Sequence, residues 1–257
     1  MGAVAAPGHD FLEAFRLVLA TREEDKRRVF ALRHRVFCEE LDFFANDDAE
    51  RLERDAFDAN ALHCLIEHRE SGLPIGCLRV VIAAGLDGNA LTLPVEKYCR
   101  ELQLPLDPGL SQLRRETLCE ISRVAIPRFF RTGGRETEGA TALERQIFSQ
   151  HERRLFGLTG VALNLCATAL SGLTERHHVL AMIEPRFQRL LARVGLCFTQ
   201  VSPSVELLGT RAAYYIDQRR AEVELSASVR PLYEHLRQAL GAQYRREALT
   251  GAVSDDD

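Results

Sequence analysis

The chain has 257 residues, with 46% hydrophobic and 27% charged side chains and a formal net charge of −4. This composition is typical of a soluble globular protein and does not favour nucleic-acid binding, which requires a basic surface. Its seven cysteines occur singly, which argues against a zinc ribbon or a disulfide framework and predicts reduced thiols in the cytoplasm.

The hydrophobic pattern predicts strands and helices that alternate along one domain. We expect disorder over residues 1–13, a domain over 14–225, a helix packed on it over 226–247, and a solvated acidic tail over 248–257. The predicted strands are 15–21, 61–68, 75–83, a segment around Glu120, 179–184, 196–201 and 214–216. The predicted helices are 23–40, 94–102, a region from 139 to 176 broken near Gly157, 185–194 and 231–246.

The most apolar stretch, residues 155–173, contains Asn164 and several glycines, so we interpret it as a buried helix that does not insert into a membrane. The first residues lack the basic and then apolar pattern of a signal peptide, which also predicts a cytoplasmic protein. No metal site is expected, because the adjacent pair His177 and His178 points apart and has no partner at ligand spacing.

The segment from Glu120 to Arg128 places a carboxylate and two guanidiniums along an Ile- and Val-rich strand that stops at Pro127. Ionic groups among apolar neighbours are costly unless they are paired or used. The strand is therefore either a salt-bridged core element or the wall of an active site. Strict alternation puts Glu120 and Ser122 on one face and Arg123 on the other, so all three share a cleft only if a bulge intervenes.

Asp55 and Asp58 lie in the acidic loop over residues 41–60. They could bind a cation, cap a helix or pair with arginines. Arg33, Arg79 and Arg123 lie on neighbouring elements, and Arg pairs bidentately with carboxylates, which favours a buried charge network.

Four charged motifs in this order resemble the acyl-homoserine-lactone synthases, which belong to the wider GNAT-type N-acyltransferase fold. They are Arg33 to Phe37, Asp55 to Asp58, Gly76 to Arg79 and Glu120 to Arg123. Further stretches are similar to the PEP-CTERM/exosortase-associated acyltransferases and the related N-acyl amino acid synthases. These are 93–96, 122–131, 182–185, 190–195 and 208–217, so that the resemblance covers about 16–220.

The resemblance implies a GNAT-like α/β fold, with a mixed twisted sheet flanked by helices, that moves a fatty acyl group from a thioester to the amine of an amino acid or similar acceptor. Glu120 is the candidate base, because an amine attacks a thioester only after losing a proton; Ser122 and Arg123 are expected beside it. The implied acceptor pocket contains Arg33, Phe37, Asp55, Asp58 and Arg79. Free backbone amides after the bulge would hold the donor's pantetheine arm. The predicted donor-binding residues are Val124, Ala125, Ile126, Arg128, Arg131, Gly133, Gly134 and Arg135.

The chain departs from the broad GNAT pattern in two places. The glycines of the phosphate loop are displaced among three arginines, which favours a donor presented by an acidic acyl carrier protein, with coenzyme A as the other possible donor. No tyrosine occurs in 185–194 to protonate the leaving thiolate, so the acid that protonates it is unassigned.

No tightly bound cofactor is expected. The alternatives are a lactone synthase with S-adenosylmethionine as acceptor, and a non-catalytic GNAT-fold binding protein in an envelope pathway.

Overall fold

The computed structural model describes residues 7–44, 49–85, 88–136 and 138–251, and eight strands of this part form one mixed sheet. The spatial order is β1-β2-β3-β4-β5-β8-β6, and β7 pairs with β8. The pair β4–β5 is parallel and the other neighbours are antiparallel. The strands are β1 Phe15–Leu19, β2 Ala61–His68, β3 Pro74–Ile82, β4 Leu118–Ala125, β5 His178–Ile183, β6 Thr199–Gln200, β7 Val205–Glu206 and β8 Thr210–Asp217.

Helices cover both faces of the sheet, which confirms the predicted α/β architecture. They are α1 Pro7–Ala14, α2 Glu23–His34 (continued by a π-helical turn, Arg35–Glu40), α3 Pro94–Glu101, α4 Arg128–Arg131, α5 Ala142–Ile147, α6 Gln150–Leu155, α7 Thr159–Leu173, α8 Pro185–Ala192, α9 Gln218–Glu224 and α10 Arg230–Gly251. Within the described residues, 3-10 segments lie at Ala56–Asn60, Pro108–Gln112, Arg115–Thr117 and Phe156–Leu158.

Helix α7 is the central helix of one layer. It contains no charged residue, packs on β2, β3 and β4, and contacts α10, which also packs on β1. The stretch Gln150–Leu173 is long and apolar enough to cross a membrane by length and composition, but most of its apolar window is buried inside the protein. This burial is what the interpretation of 155–173 as a core helix expects. Helices α2 and α3 cover the opposite face of the sheet.

The chain termini differ from the sequence prediction. Disorder was expected over 1–13, but residues from Pro7 onward form α1, because Phe11 is buried against Phe15 with 4.9 Å between ring centroids. Helix α10 extends to Gly251, into the segment predicted as an acidic tail. Residues 1–6 and 252–257 lie outside the described part of the chain.

The predicted helical region over 139–176 is three helices. Thr141 and Ser149 each form a capping box with the glutamate three residues later, Glu144 and Glu152, and so start α5 and α6 separately. The predicted strand over 196–201 is reduced to β6, which has two residues. The hairpin of β2 and β3 and the strand around Glu120 are confirmed.

The edge strand β1 is closed by a side chain of α10. The amide oxygen of Gln243 accepts from the Leu19 N–H at 2.9 Å, and its NH2 group donates to the Leu17 carbonyl at 3.2 Å. One side chain thus satisfies two backbone groups that a further strand would otherwise pair.

Candidate active site

Strands β4 and β5 diverge beside a cavity. They pair from Leu118 and His178 as far as Ile121 and Ala181, and the described pairing stops there. Residues after this point on both strands line a cavity of about 430 Å³. Its lining comprises Val36, Phe37, Leu41, Phe43, Phe44, Pro94, Tyr98, Glu120, Ile121, Ser122, Arg123, Val124, Ile126, Arg131, Asn164, Ala181, Met182, Ile183, Glu184, Phe187, Phe198, Leu207, Leu208 and Arg211.

A bulge in β4 brings its charged side chains into this cavity. Cys77 on β3 lies opposite Ala125 and Arg79 lies opposite Ser122, so β4 has one residue more than β3 between these pairs. Arg123 takes up the extra residue with a φ of +51°, in the left-handed region that non-glycine residues rarely adopt. The bulge on which the sequence argument depends is therefore present, and Glu120, Ser122 and Arg123 line one cavity.

Asp58 is the centre of the buried charge network. It accepts from both terminal nitrogens of Arg33 at 2.7 and 3.1 Å, from Arg79 at 2.8 Å and from the Asp55 backbone N–H at 2.8 Å. Burial alone would raise the pKa of Asp58, but the bonds and charge of Arg33, and the charge of Arg79, outweigh it and hold the pKa well below its ordinary value. The predicted Arg79–Asp58 pair is therefore confirmed in geometry.

Asp55 both caps a turn and pairs with arginine. Its carboxylate accepts from the Phe57 N–H at 2.9 Å, and the capping box it forms with Asp58 starts the segment Ala56–Asn60. The same carboxylate pairs with Arg79 and, at 3.0 Å, with Arg123. Asp55 thus has two of the three roles that the sequence left open, helix capping and pairing with arginine.

Glu53 completes the network, with three carboxylates facing three guanidiniums. It accepts from Arg123 at 3.1 Å and also bonds Arg33, whose side chain is fully buried. Sequence reasoning missed Glu53, although it lies in the same acidic loop as the other two acids. The rings of Phe37 and Phe44 lie 5.9 and 4.7 Å from the Arg123 guanidinium carbon and shield the pairs from the cavity side.

A buried histidine adjoins this network. His63 is 1% exposed, its ring meets Phe30 edge to face, and neither of its ring nitrogens has a hydrogen-bond partner among the described residues. Burial lowers its pKa to about 4; the carboxylate of Asp58 opposes this only in part, and the charges of Arg33 and Arg79 reinforce it. The ring is therefore neutral at physiological pH.

Glu120 is a buried carboxyl group with one backbone donor. It is 2% exposed, and its Oε2 accepts from the N–H of Val95, in the first turn of α3, at 2.7 Å. Burial raises its pKa to about 8, although the Val95 N–H and the charge of Arg79 act in the opposite direction. A carboxyl group that ionises near neutral pH beside a cavity has the property that a general base requires.

Only part of the predicted donor-binding set reaches the cavity. Val124, Ile126 and Arg131 line it, whereas Ala125 is fully buried and pairs with β3. The Arg128 N–H, at the start of α4, donates to the Glu40 carboxylate at 2.7 Å, and Arg131 bonds the same oxygen at 3.0 Å. A side chain of the protein itself thus holds the amide that was expected to face the donor.

Gly133, Gly134 and Arg135 lie outside the cavity lining. The amides of the two glycines donate to the carbonyls of Phe130 and Phe129 and close the C-terminal end of α4, with φ values of +68° and +74°. Arg135 bonds the Thr132 carbonyl at 2.9 Å. The glycines therefore act as a helix cap in this structure, and their amides are already used.

Further polar residues of the cavity, among them Tyr98 and Arg211, were not singled out by the sequence. Tyr98 projects from α3, and Arg211 lies on β8 within the stretch 208–217 that carries part of the family resemblance. Sequence alone offers no signal that either lines the cavity with Glu120. His177 and His178 instead form hydrogen bonds to Gln218 and Tyr215.

Comparisons with known proteins agree with this geometry. Residues 32–137 match the acetyltransferase (GNAT) domain family. The acyl-homoserine-lactone synthase LasI has 16% identity and a TM-score of 0.57, over 82% of this chain and 94% of its own. The CoA-dependent acyl-homoserine lactone synthase BjaI, solved with SAM and isopentyl-CoA, has 16% identity and a TM-score of 0.53, over 87% and 89%.

The N-acyl amino acid synthase FeeM, from uncultured soil microbes, has 12% identity and a TM-score of 0.52, over 83% of this chain and 96% of its own. No curated protein sequence matches the chain. At these identities the solved structures establish the fold alone. The chain therefore has a GNAT-type mixed α/β fold, and its residues 32–137 are similar to the acetyltransferase (GNAT) domain family.

Proposed function

We propose that this protein is an N-acyltransferase that moves a fatty acyl group, expected to be long-chain, from a thioester to the amine of an amino acid or similar small acceptor. The observation that carries the proposal is the Glu120 carboxyl group, buried with a pKa near 8 at the point where β4 and β5 diverge. Apolar side chains form most of the cavity around it, which suits an acyl chain.

In this proposal Glu120 accepts a proton from the acceptor amine, directly or through one water. The amine nitrogen then attacks the thioester carbonyl carbon, the C–S bond breaks, and the thiolate leaves and takes a proton from solvent. Backbone amides between Val124 and Ile126 would polarise the carbonyl; Pro127 has no N–H, and the Arg128 amide is bonded to Glu40. Ser122 is held by the Arg79 Nε at 3.0 Å and would orient the site.

The charge network would form the rigid wall of the acceptor pocket. Phe37 and Arg123 line the cavity, whereas the other members lie behind them and hold the bulge of β4 in place. The proposed role of Arg33, Asp55, Asp58 and Arg79 is thus to position Arg123 and Ser122. A bulge with an unfavourable backbone angle persists when its surroundings hold it, as the two ion pairs of Arg123 with Glu53 and Asp55 do here.

The donor we propose is a thioester of acyl carrier protein or coenzyme A in the cytoplasm. Arg131 lines the cavity, and the exposed side chain of Arg135 adds a positive charge nearby in sequence, which supports docking of an acidic carrier. The PEP-CTERM/exosortase association rests on the sequence stretches alone. The same charge network also favours a second candidate, a lactone synthase that uses S-adenosylmethionine, since the four motifs resemble that family.

One experiment separates these functions. The purified protein is incubated with acyl carrier protein and coenzyme A thioesters, an amino acid pool and S-adenosylmethionine, and thiol release and product mass are measured. An N-acyl amino acid supports the proposal, and an acyl-homoserine lactone supports the second candidate. No thiol release with any acceptor contradicts both and leaves the non-catalytic binding protein.

A further inference from the structure

Arg211 is a partly buried cation on the wall of the catalytic cavity. Its side chain is 25% exposed, and its Nε is buried with no hydrogen-bond partner in the described part of the chain. Its Nη2 makes a long bond of 3.4 Å to the Leu208 carbonyl and lies 3.7 Å from the carboxylate of Glu184, which is itself half-exposed. The ring of Phe43 lies 5.7 Å from its guanidinium carbon.

The other arginines of the cavity are already paired. Arg123 bonds Glu53 and Asp55 at 3.1 and 3.0 Å, and Arg131 bonds Glu40 at 3.0 Å. Among the described residues that line the cavity, Arg211 is thus the guanidinium whose donors remain largely available. A partly buried cation whose ion pair is as long as 3.7 Å is costly beside apolar walls, which is the pattern of a group that a ligand completes.

We propose that Arg211 binds the carboxylate of the acyl acceptor, which makes the acceptor class amino acids and excludes simple amines; this inference rests on the proposed function. The planar guanidinium can bind a carboxylate through two parallel N–H···O bonds. Burial lowers the pKa of Arg211, the charge of Glu184 opposes this shift, and the charge of Arg123 adds to it. A bound carboxylate would stabilise the charged guanidinium against both the burial and the repulsion from Arg123.

The position of Arg211 favours the acceptor over the donor. The sheet order is β4-β5-β8, and Arg211 precedes Ala212, which pairs with Ile183 at the end of β5. Arg211 therefore lies across β5 from Arg131 and the start of α4, where the donor's phosphate is expected. A carboxylate and a phosphate would both suit a guanidinium, so the test must separate the two sources.

The test compares Arg211→Gln with wild type on the best amino acid of the pool and on its carboxamide, which keeps the amine and removes the charge. Wild type should prefer the free amino acid by roughly 10- to 100-fold in kcat/KM, because a charge-assisted hydrogen bond is at stake. Arg211→Gln should raise KM for the amino acid by about that factor and leave kinetics on the carboxamide unchanged. Arg220→Gln removes a charge at an exposed position outside the cavity lining and should behave as wild type.

Two results with Arg211→Gln would overturn the inference. One is an equal loss on amino acid and carboxamide in Arg211→Gln. The other is a KM that rises for acyl-coenzyme A and stays unchanged for the acyl N-acetylcysteamine thioester, a donor without phosphate. That result would mean that Arg211 binds the phosphate of the donor. If Arg211→Gln does not fold by circular dichroism, Arg211→Lys replaces it; the amino acid preference should fall several-fold, and an unchanged preference refutes the role.

Calorimetry keeps the inference testable if wild type transfers no acyl group and the proposed function fails. Wild type should then bind N-dodecanoylglycine at least about tenfold more tightly than N-dodecanoylglycinamide, and Arg211→Gln should bind both equally. Equal binding of the two probes by wild type would reject the carboxylate site as well.

Discussion

Glu120→Gln separates what the buried carboxyl group does for stability from what it does for turnover. The amide oxygen of Gln can still accept from the Val95 N–H, so the fold should survive the change. The carboxyl pKa rises from its ordinary 4.5 to about 8 in the folded protein. Between these values the folded state keeps a proton that the unfolded chain has lost. The stabilisation from protonated Glu120 is therefore complete below pH 4.5 and is lost as pH rises through 8.

This shift sets the expected magnitude. Within that window wild type should lose up to about 1.4 kcal/mol of unfolding free energy per pH unit relative to Glu120→Gln, which does not titrate. Urea unfolding of both proteins at pH 5, 6, 7 and 8 measures the difference. Glu116→Gln is the matched control, because it makes the same change at a half-exposed position.

Turnover should depend on pH in the opposite direction. As a base, Glu120 must be ionised, so kcat/KM of wild type should rise with pH up to about 8 and then level off. Glu120→Gln should lower the chemical rate by roughly 100-fold or more and abolish this rise, with donor binding unchanged. A variant with near-wild-type turnover would refute the catalytic role. Parallel stability curves for wild type and Glu120→Gln would refute the raised pKa.

Three further outcomes follow from the charged residues. Arg79→Ala and Asp58→Ala should each cost about 3–5 kcal/mol in urea unfolding, and the double variant clearly less than their sum; additive losses would contradict the pairing. Because burial lowers the His63 pKa to about 4, the unfolding free energy should fall as pH drops from 6.5 towards 4. His63→Gln should reduce this dependence on pH; an unchanged dependence would show that the folded protein does not keep the buried ring neutral. Charge reversal at Arg131 and Arg135 should weaken carrier-linked donors more at low salt than at high salt; unaltered carrier KM values, with acyl-coenzyme A the much better donor, would exclude docking there.

The chemistry of β4 could be predicted because it depends on local pattern. An acid and two arginines among β-branched residues imply pairing or use, and the alternation rule shows that Arg123 needs a bulge to meet Glu120. The pairing of Arg33, Arg79 and Arg123 with the acidic loop followed from charge balance and from the family motifs.

Contacts between distant segments could not be predicted in this way. The bond from the Arg128 N–H to Glu40 joins residues 88 positions apart, and nothing in either segment marks the other. The availability of Arg211 depends on where β8 lies in the sheet, which single-sequence patterns do not reveal. Helix α1 forms because tertiary packing holds it: its Gly8 lies so close to Leu232 of α10 that an added Cβ would come within 3.1 Å.

The hydrogen bonds of Gln243 bear on how the protein avoids self-association. An open strand edge can recruit the edge of a second molecule and start aggregation. At one end of the sheet a single amide side chain blocks this route by occupying the Leu19 N–H and the Leu17 carbonyl, and at the other end β6 is only two residues long. Truncation before residue 243 would therefore remove both the last part of α10 and the side chain that covers the edge of β1. The shortened protein should precipitate during expression. Gln243→Glu loses only the donor to the Leu17 carbonyl and should remain soluble.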